Sequence, residues 1–312
     1  MTTTISLGPK ADCVYGRTGS TKTSQVGHLA EYIWEKYHKQ TRLVSADPGG
    51  WQPVEHLVEA GIIAKPYHMT FDNKFPLEDL VHLALGWWPD DTGKLKAPGP
   101  GSFDNIGAYA FEGMTSFSTL IMTNLVKRQD ISIPGTPKES FVKDDTMRWG
   151  FSGQSHYGFI QQRIYEVVVH SNHLPVHKVL WTAHEGTGKD KNRAIYGPKV
   201  TGEAMTGENG AWFGAMLHLM QVDQQVEVAD PIHAGKKMLI NRRVPLMFLR
   251  EHIDPGDAYK VPYIAKPRGP SNMWEQWPDW IKPNIGDFYR KLDEMGEKAL
   301  AEVRARVAKV TI

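Results

Sequence analysis

Apolar positions recur along this chain in two rhythms. Val26, Leu29, Ala30, Ile33 and Tyr37 are spaced by three and four, which places them on one face of a helix. Ahead of them, residues 11–15 hold Cys13, Val14 and Tyr15 and read as a short strand ending at Gly16. Residues 41–46 read as a second strand, stopped by Asp47-Pro48-Gly49-Gly50. A short helix is predicted over 54–60, with Gly61 as its stop, then a strand over 62–69 and a helix over 77–87. Residues 106–111 form a compact apolar strand, and 114–127 a helix. Phe159, Ile160, Ile164 and Val167 share a helical face within 155–169; 179–183, 213–222 and 237–240 read as strands. Segments 89–104, 130–149 and 186–199 are polar, and the first two are also rich in proline; all three are predicted to be loops.

Strands alternating with helices predict an α/β fold, a mostly parallel sheet flanked by crossover helices. The pattern changes near the end. Trp274, Trp277 and Trp280 sit among prolines, so 255–283 is expected to be extended. Ile285, Phe288, Tyr289, Leu292, Met295, Ala299, Leu300, Val303 and Val307 then fall at helical spacing and predict an amphipathic helix packed on its own core or on a partner. The expected division is a core over 1–253 and a C-terminal tail over 254–312. No internal repeat of fixed period is present.

Composition narrows the reading. The 312 residues are 41% hydrophobic, enough for a packed core, and 36 basic against 35 acidic side chains leave a net charge of +1. That balance excludes a protein that coats nucleic acid through bulk charge; a nucleic-acid site must be a local patch. One cysteine, Cys13, excludes a disulfide scaffold and a cysteine-built zinc site. No apolar run approaches the roughly 20 residues that span a bilayer, and the first ten residues lack the apolar core of a signal peptide. A soluble, cytoplasmic protein without a membrane partner is expected.

The candidate chemistry centres on Gly16-Arg17-Thr18-Gly19-Ser20-Thr21-Lys22-Thr23. It is close to G-x-x-x-x-G-K-[ST], lies after a strand and opens a helix. A compact loop of this kind turns main-chain N–H groups inward as a nest for phosphate, and the helix N-terminus adds positive charge. Lys22 would reach the β- and γ-phosphates and the Thr23 hydroxyl would bind Mg²⁺. Thr21 stands where glycine is usual before the lysine, a poor choice if φ must be positive. The same segment could also be a plain strand-to-helix turn.

Three polar residues follow strand ends. Glu112 closes the apolar strand of 106–111 and is the candidate to hold the Mg²⁺ water shell, although most such sites use Asp; the alternative is a carboxylate favouring a helix dipole. Asp47 could orient attacking water as a general base, or be part of a turn. In Thr182-Ala183-His184-Glu185, Thr182, His184 or Glu185 could sense the γ-phosphate, His184 being the candidate chosen, since ligands of open α/β sheets bind at the C-terminal strand edge; the alternative is a chain that simply turns polar as it leaves the core. His170, His173 and His177 have no acid or cysteine at ligand spacing and read as structural.

Taken in order, the loop 16–23, Asp47, the strand ending at Glu112, and Thr182-Ala183-His184-Glu185 resemble the RecA-like P-loop ATPases. With Gly197-Pro198-Lys199-Val200-Thr201-Gly202-Glu203 they look most like the core-only RecA relatives of bacteriophage recombination modules. The resemblance implies a RecA-like core, ATP and Mg²⁺ as ligands, ATP hydrolysis, work on single-stranded DNA, and a homo-oligomer with ATP at subunit interfaces, in the host cytoplasm if phage-encoded. It also implies basic groups from a neighbouring subunit, for which Lys236, Lys237, Arg242 and Arg243 are candidates; the basic loop 189–193 could follow a DNA backbone. The departures at Thr21 and Glu112 bear on hydrolysis more than on fold. They leave open a degenerate loop that holds nucleotide without turnover; a DNA-packaging motor subunit is a further alternative.

Overall fold

The computed structural model describes residues 10–47, 49–127, 154–190, 193–201, 212–229, 237–254, 260–267 and 277–310. In chain order the elements are β1 (Ala11–Gly16), α1 (Lys22–Tyr37), β2 (Gln40–Ser45), α2 (Glu55–Glu59), β3 (Tyr67–His68), α3 (Pro76–Ala84), β4 (Trp88–Pro89), β5 (Leu95–Lys96), β6 (Ile106–Glu112) and α4 (Met114–Lys127). They continue with α5 (Gln154–Asn172), β7 (Lys178–Asp190), β8 (Arg193–Pro198), β9 (Ala215–Ala229), β10 (Lys237–Phe248), β11 (His252–Ile253), β12 (Pro262–Tyr263), β13 (Lys266–Pro267), β14 (Trp280–Ile281) and α6 (Ile285–Val310).

The central sheet runs β3-β2-β6-β7-β1-β9-β10-β14. From β3 to β9 every neighbouring pair is parallel; β10 and β14 are antiparallel additions. The α/β class and the mostly parallel sheet flanked by helices therefore hold. β7 separates β1 from β6, so the loop strand and the strand ending in Glu112 are not direct neighbours.

Each central strand is buried on both faces, and its side chains alternate between two cores. Cys13, Tyr15, Tyr109, Phe111, Val179 and Trp181 join α3, α4 and α5 on one face. Val14, Ala108, Ala110, Leu180 and Leu217 join α1 and α6 on the other. The small residues of β6 let α1 approach closely: a side chain at Gly107 would sit 2.6 Å from Ile33 Cγ2. The first turns of α6 pack on α1 through Ile285, Phe288 and Tyr289, all fully buried. The Tyr289 hydroxyl donates to the buried Asp12 carboxylate at 2.8 Å, and Trp277 lies edge-on against Phe288. The helix thus packs on the chain's own core rather than needing a partner for that face.

Several sequence expectations change. Segment 186–199 is not a loop: the outer half of β7 turns back as a hairpin with β8, Glu185 opposite Pro198 and Asp190 opposite Arg193. Its glycines and lysines disguise a ladder whose inward residue, Ile195, is buried. Of 62–69 only Tyr67–His68 is strand, with one bridge from Ile63 to Thr41, because Pro66 has no N–H to donate. Within 89–104, Trp88–Pro89 pairs with Leu95–Lys96. The strands expected over 213–222 and 237–240 extend to Ala229 and Phe248 as one long hairpin. The 130–149 segment and Trp274 lie outside the described residues. No helix among the described residues is long and apolar enough to cross a membrane.

Candidate functional site

β1 is flanked by β7 and β9, and its end opens directly into the glycine-bearing loop and α1. Only glycine fits at Gly16, where a Cβ would collide with the Leu219 carbonyl oxygen and the Ser20 hydroxyl. Gly19 has φ +79°. The Ser20 N–H closes a tight turn onto the Arg17 carbonyl at 3.1 Å. The Ser20 hydroxyl is buried without a hydrogen-bond partner. Lys22 is 8% exposed, and its ammonium donates to the carbonyls of Gly16 (3.0 Å) and Arg17 (2.9 Å), so it curls over the loop. Burial lowers its pKa, while Asp47, Glu112 and Glu185 pull the other way.

Thr21 adopts φ +65°, the left-handed conformation that a β-branched residue disfavours. Its hydroxyl donates to the Ser20 carbonyl at 2.6 Å and caps nothing. Thr21→Gly is therefore expected to raise unfolding free energy by about 1 kcal/mol, after the entropy cost of glycine is counted. Denaturant midpoints check this; an unchanged or lower midpoint would show that the loop stores no such strain.

The other candidate residues gather on the same sheet edge. Ser45 ends β2 and Glu112 ends β6, opposite each other in register. The Glu112 carboxylate accepts from the Thr23 hydroxyl on one oxygen and from Ser45 at 3.0 Å on the other. It is 2% exposed, and burial pushes its pKa up to about 7 against these two hydrogen bonds. Asp47, just past β2, accepts from the Ser116 hydroxyl. A side chain at Gly113 would press on the Asp47 carboxylate at 2.8 Å, so Gly113, with φ +92°, leaves it room. Asp47 is close enough to raise the pKa of both Lys22 and Glu112.

His184 lies opposite Gly16 on β7. Its N–H donates to Thr115 Oγ1 at 3.0 Å and its carbonyl accepts from the Lys199 N–H at 2.7 Å. Burial and the nearby Lys22 lower the pKa of its imidazole. Thr182 accepts the Gly113 N–H at 3.0 Å and so ties β7 to the start of α4. The loop residues Gly16, Arg17, Thr18, Gly19, Ser20, Thr21, Lys22 and Thr23 thus share one edge with Asp47, Glu112 and His184.

The described basic candidates, Lys237, Arg242 and Arg243, lie on β10. Lys237 pairs with Glu227 at 2.9 Å on the long hairpin, and Arg242 is exposed. Arg243 pairs with Asp223 at 3.4 Å and borders an open cleft of about 210 Å³ beside Arg17 and Ser20. Lys236 lies outside the described residues, as do the central residues of 189–193. Sequence reasoning missed Ser45, whose role depends on register between β2 and β6. It also missed His218, which looks like one more interior position of an apolar strand.

Mg²⁺ suits the donor set: the Thr23 hydroxyl and the Glu112 carboxylate are hard oxygen ligands. Gly50 leaves open the space beside Glu112 that any side chain would fill. Among the described residues no group of three or more His, Cys, Asp or Glu could hold a metal by itself, so a cation here would need oxygens from its ligand and water.

No family model matches the chain. No curated protein matches it either. Among solved structures it is similar to a KaiC-like protein from the hyperthermophilic archaeon Pyrococcus horikoshii OT3, at TM-score 0.35 and 9% identity, over 83% of this chain and 89% of that one.

Proposed function

We propose that the chain binds ATP with Mg²⁺ at the loop between β1 and α1 and hydrolyses it. The observation that carries this reading is the meeting of Lys22, Thr23 and Glu112, with Asp47 and His184 beside them, around a loop that only glycine at position 16 allows. The main-chain donors of the loop and the first turn of α1 would receive the phosphates. The Ser20 hydroxyl, buried and unpartnered, supplies a further donor. Lys22 would exchange its two carbonyl partners for phosphate oxygens. Thr23 and Glu112 would hold the cation, which supplies neutralisation of phosphate charge when bound. Asp47, fixed by Ser116, would orient the attacking water, and His184 would sense the γ-phosphate.

Work on single-stranded DNA within a homo-oligomer, as in the phage recombination proteins the motifs resemble, is the setting we propose for this activity. The exposed arginines Arg242 and Arg243 on β10 favour it. A second reading, nucleotide binding without turnover, is favoured by the left-handed Thr21 and by the proton affinity of Glu112. Phosphate release and equilibrium binding, measured together with Mg·ATP, decide between them. Release with binding supports the ATPase; binding without release selects the second reading; absence of binding removes both.

A further inference from the structure

Behind the loop stands a chain of polar contacts that the proposed chemistry does not use. Arg17 Nε donates to Glu185 Oε1 at 3.1 Å, and Arg17 Nη2 to the Tyr263 hydroxyl at 3.3 Å. The other carboxylate oxygen of Glu185 meets His218 Nε2 at 3.1 Å. His218, fully buried, meets His252 Nε2 through its own Nδ1 at 3.1 Å. His252 Nδ1 meets the Arg250 carbonyl at 3.1 Å. Stacked rings of Tyr15, Tyr263 and Phe248 enclose the two imidazoles. The array spans β7, β9, β11 and β12 and ends on the second residue of the loop.

We infer that Glu185, held by the buried pair His218 and His252, is a positioning residue that sets whether the Arg17 guanidinium rests on its carboxylate or turns to bound phosphate. The inference rests on the nucleotide reading above. The Arg250 carbonyl can only accept, so His252 Nδ1 carries a proton and its Nε2, in the neutral ring, accepts from His218 Nδ1–H. His218 Nε2 would then face an ionised carboxylate with no proton between them. All three contacts are made only when the two rings hold three protons. With two protons one contact is lost.

The charged and titratable groups around His218 are Glu185, Arg17, His252, Asp254, Tyr15 and Tyr263. Burial holds the pKa of His218 below the ordinary 6.5, with Glu185 opposing, and that of His252 at about 4. The third proton is therefore mostly absent at neutral pH, and Arg17 then compensates Glu185. If bound phosphate draws Arg17 away, the carboxylate loses that partner. The array then gains affinity for a proton on the Glu185–His218 contact, and nucleotide binding becomes coupled to proton uptake.

Calorimetric titration of the full chain with Mg·ATP, near pH 6.5 in two buffers of different ionisation enthalpy, reads the protons exchanged. Wild type is expected to take up more protons than Glu185→Gln, by up to one per nucleotide. Taking this difference cancels the titration of the nucleotide itself and of Glu112. His252→Phe supplies a second variant, since a phenyl ring can stack between Phe248 and Tyr263. It frees His218 to keep its bond to Glu185 as a neutral ring, so the extra uptake should vanish while the nucleotide still binds. Binding with the same proton count in all three proteins overturns the inference and leaves the nucleotide reading intact. No binding by wild type removes both.

Discussion

Lys22→Ala is expected to lower ATP turnover by on the order of a hundredfold or more, the scale seen when one charge-stabilising donor is removed from a transferring group. The fold should survive. The substitution leaves the Gly16 and Arg17 carbonyls without their ammonium partner, a cost of about 1–3 kcal/mol for each that stays dry. It also removes a buried cation whose pKa burial already lowers, which offsets part of that cost. Steady-state phosphate release beside a thermal melt separates the two effects. Equal turnover in a folded variant would take the loop out of the chemistry.

Glu112→Gln is expected to lower turnover to a similar degree, and to remove a pH dependence of stability. In the folded protein burial pushes the Glu112 carboxyl up to about 7, above its ordinary value of 4.5. Between those values the folded state binds the proton more tightly than the unfolded state. Stability conferred by the neutral acid is therefore full at low pH and lost as pH rises through about 7. The difference is about 3 kcal/mol at most. Glutamine mimics the neutral acid, so the variant should match wild type near pH 4, below the unfolded value, and exceed it near pH 8. The proposed chemistry needs the ionised form, so wild-type turnover should rise through about pH 7, where the fall in stability ends. Denaturant melts at the two pH values check this; parallel curves for the two proteins would mean that Glu112 ionises normally.

The sheet was legible because its central strands carry apolar runs and alternate with helices whose buried residues keep a strict spacing. Val26, Leu29, Ala30 and Ile33 show it clearly: all four are fully buried. The loop was legible for a different reason, a local motif of eight residues at a strand-to-helix junction. What escaped the sequence depends on pairing at a distance. Ser45 reaches Glu112 only through the parallel register of β2 and β6. His218 reaches Glu185 because β1 separates β7 from β9 by one strand. The β7–β8 ladder escaped because Gly186, Thr187, Gly188 and Lys189 carry the composition of a turn, and such ladders are held by main-chain bonds that composition does not report.

The contact between Asp12 and Tyr289 bears on how the molecule comes together. Asp12 sits inside the strand that leads into the loop, and its phenol partner arrives 277 positions later. Desolvation raises the carboxyl's pKa, and the phenol is one of the groups that counter it. Until that distant helix docks, the innermost strand has an acid facing an unfinished core. Closure over so long a stretch of chain is slow. The strand from which the loop hangs is thus sealed only when the chain's final helix is in place.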